Sequence, residues 1–146
     1  MKTILIGLLF GLTLSYNRIG AVNYALKYCN NYNPNYNNYK GRDKNEAANF
    51  VSQCISVGGG QSLDGCEGLD DKGMITSIHQ LKKCLISKKW RKTTAPLLGD
   101  PLFLLGSFQA MILTDYHDLY NTNFSSHEPD RCNGLVKYNI IEGYTL

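Results

Sequence analysis

Apolar residues recur every three or four positions through residues 17–29, at Ile19, Val22, Leu26 and Cys29. That spacing predicts an amphipathic helix, with Asn17 as its cap. A second strip, Ala47, Phe50, Val51, Cys54 and Ile55, predicts a helix over residues 46–57. Asn45 is a good cap for it, Glu46 suits the positive helix end, and Gly58 is the expected stop. Ile75, Ile78, Leu81 and Leu85 share one face of a third helix, and His79 falls off that face towards solvent. Beyond Trp90 the period changes. Residues 101–105 and 110–114 are short apolar runs separated by Gly106 and Ser107, and they read as two antiparallel strands. Residues 135–141 alternate as a further strand. Helices first and strands second predict an α+β domain, with N-terminal helices packed on a small antiparallel sheet.

Between the first two helices lies a tract of Asn and Tyr, residues 30–40, expected to be an ordered loop. Its tyrosines, Tyr32, Tyr36 and Tyr39, with Tyr28 just before them, can pack while their hydroxyls stay in water. Residues 61–73, rich in Gly and Asp, form another loop.

The first fifteen residues read as a secretory signal. Lys2 supplies the positive start, residues 4–14 the apolar stretch, and Thr13 and Ser15 the small residues before a cleavage after Ser15. That stretch is short of the ~20 residues that a membrane span needs. Residues 16–146 then form one secreted domain, soluble and free of the membrane after cleavage. The formal charge is +3, one less without Lys2, and nothing in it argues for nucleic acid. The run from Lys88 to Lys92 is expected to be a solvated helix end and loop.

Five cysteines follow the signal. An oxidising compartment favours disulfides, and an odd number leaves at least one thiol over. Cys66, Cys84 and Cys132 lie in or near loops and are the disulfide candidates, whereas Cys29 and Cys54 fall on apolar faces as small core residues. No spacing suggests a metal site, and no cofactor is implied. Asn123 heads a glycosylation sequon, expected on a surface loop. Asp115, His117 and Asp118 read as a polar surface turn.

Three stretches carry the chemistry. The first includes Asn17-Arg18, Tyr24-Ala25 and Asn33-Pro34-Asn35-Tyr36. The second is Ala48-Asn49-Phe50-Val51-Ser52-Gln53-Cys54 with Gly58-Gly59. The third includes Leu97-Leu98-Gly99-Asp100 and Ser126-His127 before Asp130-Arg131. In these residues the chain resembles the putative amidase domain family, a branch of the papain-like cysteine hydrolases. The resemblance implies a papain-like fold, in which a cysteine in the first turn of the second helix is activated by the helix end and a nearby histidine. It places that nucleophile at Ala47 and the base at Gln109, and it retains a family histidine at His127. Alanine offers no nucleophile, and glutamine is no base near neutral pH. Cys54 lies seven residues from Ala47, about 10 Å down the helix at ~1.5 Å per residue, and is expected in the core. The implied function is a catalytically inactive amidase-like domain that binds a peptide or peptidoglycan-like ligand. The alternatives are an active cysteine amidase, if Ala47 stands for a cysteine, and a disulfide-stabilised surface protein.

Overall fold

The computed structural model describes residues 15–116, 121–137 and 141–146. The signal expectation, apart from Ser15, and the placement of His117 and Asp118 lie outside the described residues. Among the described residues three helices precede a six-stranded antiparallel sheet, so the domain is α+β.

Helix α1 spans Arg18–Tyr28, and the Asn17 side chain accepts the Gly20 N–H at 2.8 Å. Its buried face differs from the strip read in the sequence. Ile19 and Leu26 are exposed, and Ala21, Val22, Tyr24 and Ala25 are buried. Close approach of backbones explains the change. A Cβ at Gly58 would lie 2.6 Å from the Tyr24 Cβ and 2.7 Å from the Gly20 carbonyl oxygen. The small side of α1 therefore faces inward, because only that side lets the chain come so near.

Helix α2 spans Glu46–Gln53 and is buried along its whole length. It runs into a π turn at Cys54–Gly58, closed by the Gly59 N–H donating to the Cys54 carbonyl at 2.9 Å. Gly58 thus does not stop the helix as expected; it sits in the π turn against α1. The polar residues of so buried a helix need partners. The Ser52 hydroxyl donates to the Asn49 carbonyl and accepts the Ile75 N–H, and the Gln53 Oε1 accepts the Tyr24 hydroxyl.

Helix α3 spans Ile78–Ser87, with Ser77 accepting the Gln80 N–H. It buries Leu81, Cys84 and Leu85 and leaves His79 exposed. Ile75, read as part of this helix, precedes it and is bridged to Leu69.

The strands are β1 (Arg91–Thr93), β2 (Pro101–Leu104), β3 (Ala110–Tyr116), β4 (Asn121–Ser126), β5 (Arg131–Lys137) and β6 (Ile141–Thr145), in the order β1-β6-β2-β3-β4-β5. The strand expected at 135–141 divides between the end of β5 and the start of β6. Phe103, Ala110, Ile112 and Tyr144 face the helices, while Leu102, Met111, Leu113, Phe124 and Val136 form a second apolar cluster. The basic run ending at Lys92 is not all solvated loop. Trp90 is buried edge-on against Tyr16, 4.8 Å between ring centres, and Arg91 begins β1.

Two disulfides, Cys29–Cys132 and Cys66–Cys84, staple the domain, and Cys54 is the free thiol. Cys29 is buried, but it is bonded rather than the small core thiol expected.

Candidate functional site

Three segments meet where α2 begins, and Asn45 joins them. Its Oδ1 caps the helix by accepting the Ala48 N–H at 2.7 Å, and its Nδ2 donates to the Phe108 carbonyl at 2.7 Å. Its backbone N–H donates to the Thr76 carbonyl at 2.9 Å. The helix start is therefore tied to the β2–β3 hairpin and to the approach to α3.

Glu46 follows, with no exposure at all. Its Oε1 lies 2.8 Å from the His127 Nδ1, and its Oε2 accepts the Tyr39 N–H at 2.7 Å and the Asn49 amide at 3.0 Å. The other ring nitrogen of His127, Nε2, lies 2.7 Å from the Tyr28 carbonyl. A carbonyl can only accept, so Nε2 carries a proton, and one further proton lies between Nδ1 and the carboxyl. The ring also stacks on Phe50, 4.0 Å between centres, and lies against Tyr32 at 4.2 Å. His127 is thus buried with both nitrogens occupied, and no spacing along the chain points to Glu46 as its partner.

The β4–β5 turn that carries His127 is held from outside as well. Asp130 accepts the Tyr32 hydroxyl at 2.9 Å and the Lys40 ammonium at 2.6 Å, and the Glu128 Oε1 accepts the Gly41 N–H at 2.7 Å. Partial burial pushes the Asp130 carboxyl up, but these two donors and the charge of Lys40 outweigh it and hold it below the usual range. The Tyr39 hydroxyl donates to Asp70 at 2.9 Å. The hydroxyls of Tyr32 and Tyr39 are therefore bound to carboxylates rather than left to water.

Ala47 is the second residue of α2 and is buried in the helix–sheet core. Gln109 is half-buried at the foot of β3, next to the Phe108 that Asn45 holds. Cys54 is completely buried, and that burial pushes its thiol well above its ordinary range. Asp115 is exposed at the end of β3. Asn123 lies within β4, paired on both sides by β3 and β5, rather than on a surface loop. Among the described residues no cluster of His, Cys, Asp or Glu is disposed to hold a metal ion.

Outside Asn45 runs an open groove of about 610 Å³. The loop bearing Arg42 and Lys44 forms one wall, His79 and Lys82 of α3 another, and Phe108 and Glu128 complete the rim. The Phe108 ring is 83% exposed. An aromatic between Ser107 and Gln109 at a hairpin tip is a visible signal of such a rim, and the sequence pattern alone did not single it out.

The profile of the putative amidase domain family matches residues 15–95, from before α1 to just beyond β1. The chain belongs to this family. The uncharacterized protein YhbB of Bacillus subtilis (strain 168) is similar to this amidase-family chain, at 44% identity over 50 residues. That segment is 34% of this chain and spans only 15% of YhbB. No solved structure matches this amidase-family chain.

Proposed function

We propose that this protein is a secreted, non-catalytic amidase-like domain on a papain-like scaffold, which binds a peptide or cell-wall-like ligand in the groove at the start of α2. One observation carries this: the chain has no thiol available for nucleophilic attack. Four of its cysteines lie in disulfides and the fifth, Cys54, is sealed in the core with its ionisation suppressed. The reactive species of a cysteine hydrolase is the thiolate, and burial in apolar surroundings disfavours it. At the first turn of α2, where the family resemblance expects the sulfur, stands the methyl group of Ala47. His127 is an unsuitable base in this position, because both its nitrogens are engaged in the interior. The two disulfides are consistent with an extracellular protein. The test is hydrolysis of simple chromogenic peptide amides by the purified protein. No turnover above the uncatalysed rate is expected, and turnover abolished by a thiol alkylator would overturn the proposal.

A further inference from the structure

Resting on that binding role, we infer that the groove selects an anionic ligand, specifically an acidic peptide with an apolar side chain against Phe108. Thr76 apart, the neutral hydrogen-bonding side chains that line it are engaged within the protein. Both ends of the Asn45 amide are committed, the Ser77 hydroxyl accepts the Gln80 N–H, and the Ser107 hydroxyl faces the Leu104 carbonyl and the Gln109 N–H. A neutral saccharide needs such groups to be free. Beyond Thr76 and Ile78, what the groove offers is charge and one ring.

The charge is weighted towards cations. Glu128 has one carboxylate oxygen occupied by the Gly41 N–H. Lys82 lines the groove and is paired at 3.1 Å with Glu142, a carboxylate outside the groove that Lys92 also holds at 2.8 Å. Lys44 rests over the Tyr39 ring at 4.9 Å, with no carboxylate paired to it among the described residues. Arg42 is exposed and likewise has no ion-pair partner among them. Asp43 is the opposing charge on the same wall, and His79 adds a further donor on the other. A carboxylate entering between Arg42 and Lys82 meets cations on both sides, while Phe108 gives a neighbouring apolar side chain its contact.

The experiment is fluorescence anisotropy at low salt with the purified protein. The probes are a labelled peptide of alternating Glu and Leu, its Gln and Lys counterparts, and a neutral oligomer of N-acetylglucosamine. The acidic peptide should bind about tenfold or more tighter than the Gln peptide. Arg42→Glu with Lys44→Glu should remove that preference, and Phe108→Ala should weaken every peptide. All three positions are exposed, so the fold should survive, and circular dichroism checks that it does. Equal affinity for the Gln or Lys peptide, tighter binding of the saccharide, or no binding at all would each overturn the inference. Thiol-dependent hydrolysis would instead overturn the inactive reading and leave the charge preference standing.

Discussion

Glu46 and His127, 81 residues apart in sequence, meet at 2.8 Å in the interior, where the first turn of α2 touches the β4–β5 turn. The carboxyl holds three partners at once: the imidazole, the Tyr39 N–H and the Asn49 amide. Removing one partner of such a buried pair strands the others without water. Glu46→Ala should cost about 3–5 kcal/mol of stability in urea denaturation. Glu46→Gln, which keeps the shape and some of the hydrogen bonds, should cost distinctly less. Equal losses would show that packing rather than the hydrogen-bonded centre carries the effect.

The contact of Gly58 with α1 gives a second prediction. A methyl group there collides with backbone and with the root of Tyr24, neither of which can swing aside. Gly58→Ala should destabilise by about 1–3 kcal/mol. Gly41 has a φ of +69° and open space around it, so Gly41→Asn should be nearly neutral, since asparagine visits that conformation. Thermal melts of the two variants compare a steric site with a merely conformational one.

Acid should weaken the fold in a defined window. Partial burial pushes the Glu142 carboxyl up, but hydrogen bonds from Lys92, Tyr144 and Lys82, with the charge of Lys82, win and lower it from 4.5 to about 2. A carboxyl lowered by folding stabilises the protein above its ordinary value, and that contribution is lost as pH falls towards its folded value. Asp70 and Asp130 are lowered as well, each against its own partial burial, by backbone and side-chain donors. Asp100 moves the other way, because its burial outweighs the Leu97 N–H and Arg18, and the cost of its charge is relieved on protonation. The net expectation is a melting temperature that declines between pH 4.5 and 2, with a shallower decline in Glu142→Gln. A flat profile over that range would contradict it.

The cysteines can be counted chemically. A thiol reagent should find no reactive group in the native protein and one after denaturation without reductant, namely Cys54. Breaking Cys29–Cys132, which spans 103 residues, should cost roughly 4–5 kcal/mol, against about 3 for Cys66–Cys84, which spans 18. Denaturation of the paired Ser variants measures both. A native thiol titrating freely would undo the argument for inactivity.

Two substitutions test the proposed lack of catalysis. Ala47→Cys alone should give little amide hydrolysis, because no base is positioned for it. Adding Gln109→His should raise the rate about a hundredfold or more. Full activity from the single change would mean that the proton acceptor lies elsewhere.

The helices were legible because their signals are local. Asn17 and Asn45 cap where expected, and the strip from Ala47 to Ile55 is buried throughout. The buried face of α1 was misread because hydrophobicity alone favours Ile19 and Leu26, whereas contact with Gly58 demands small residues. Strands β1 and β4 carry no apolar alternation, because Arg91-Lys92-Thr93 and Asn121-Thr122-Asn123 are polar and owe their conformation to neighbouring strands. All three candidate disulfide residues are bonded, but only Cys66 sits in a loop: Cys84 lies in α3 and Cys132 in β5, and Cys29 meets its partner only through the sheet. The Glu46–His127 meeting is of the same kind: no spacing rule links positions so far apart.

The link between Cys29 and Cys132 closes most of the chain into a covalent ring. A protease that cuts once at any peptide bond inside that ring releases no fragment. The nicked molecule would migrate as one species until a reductant is added.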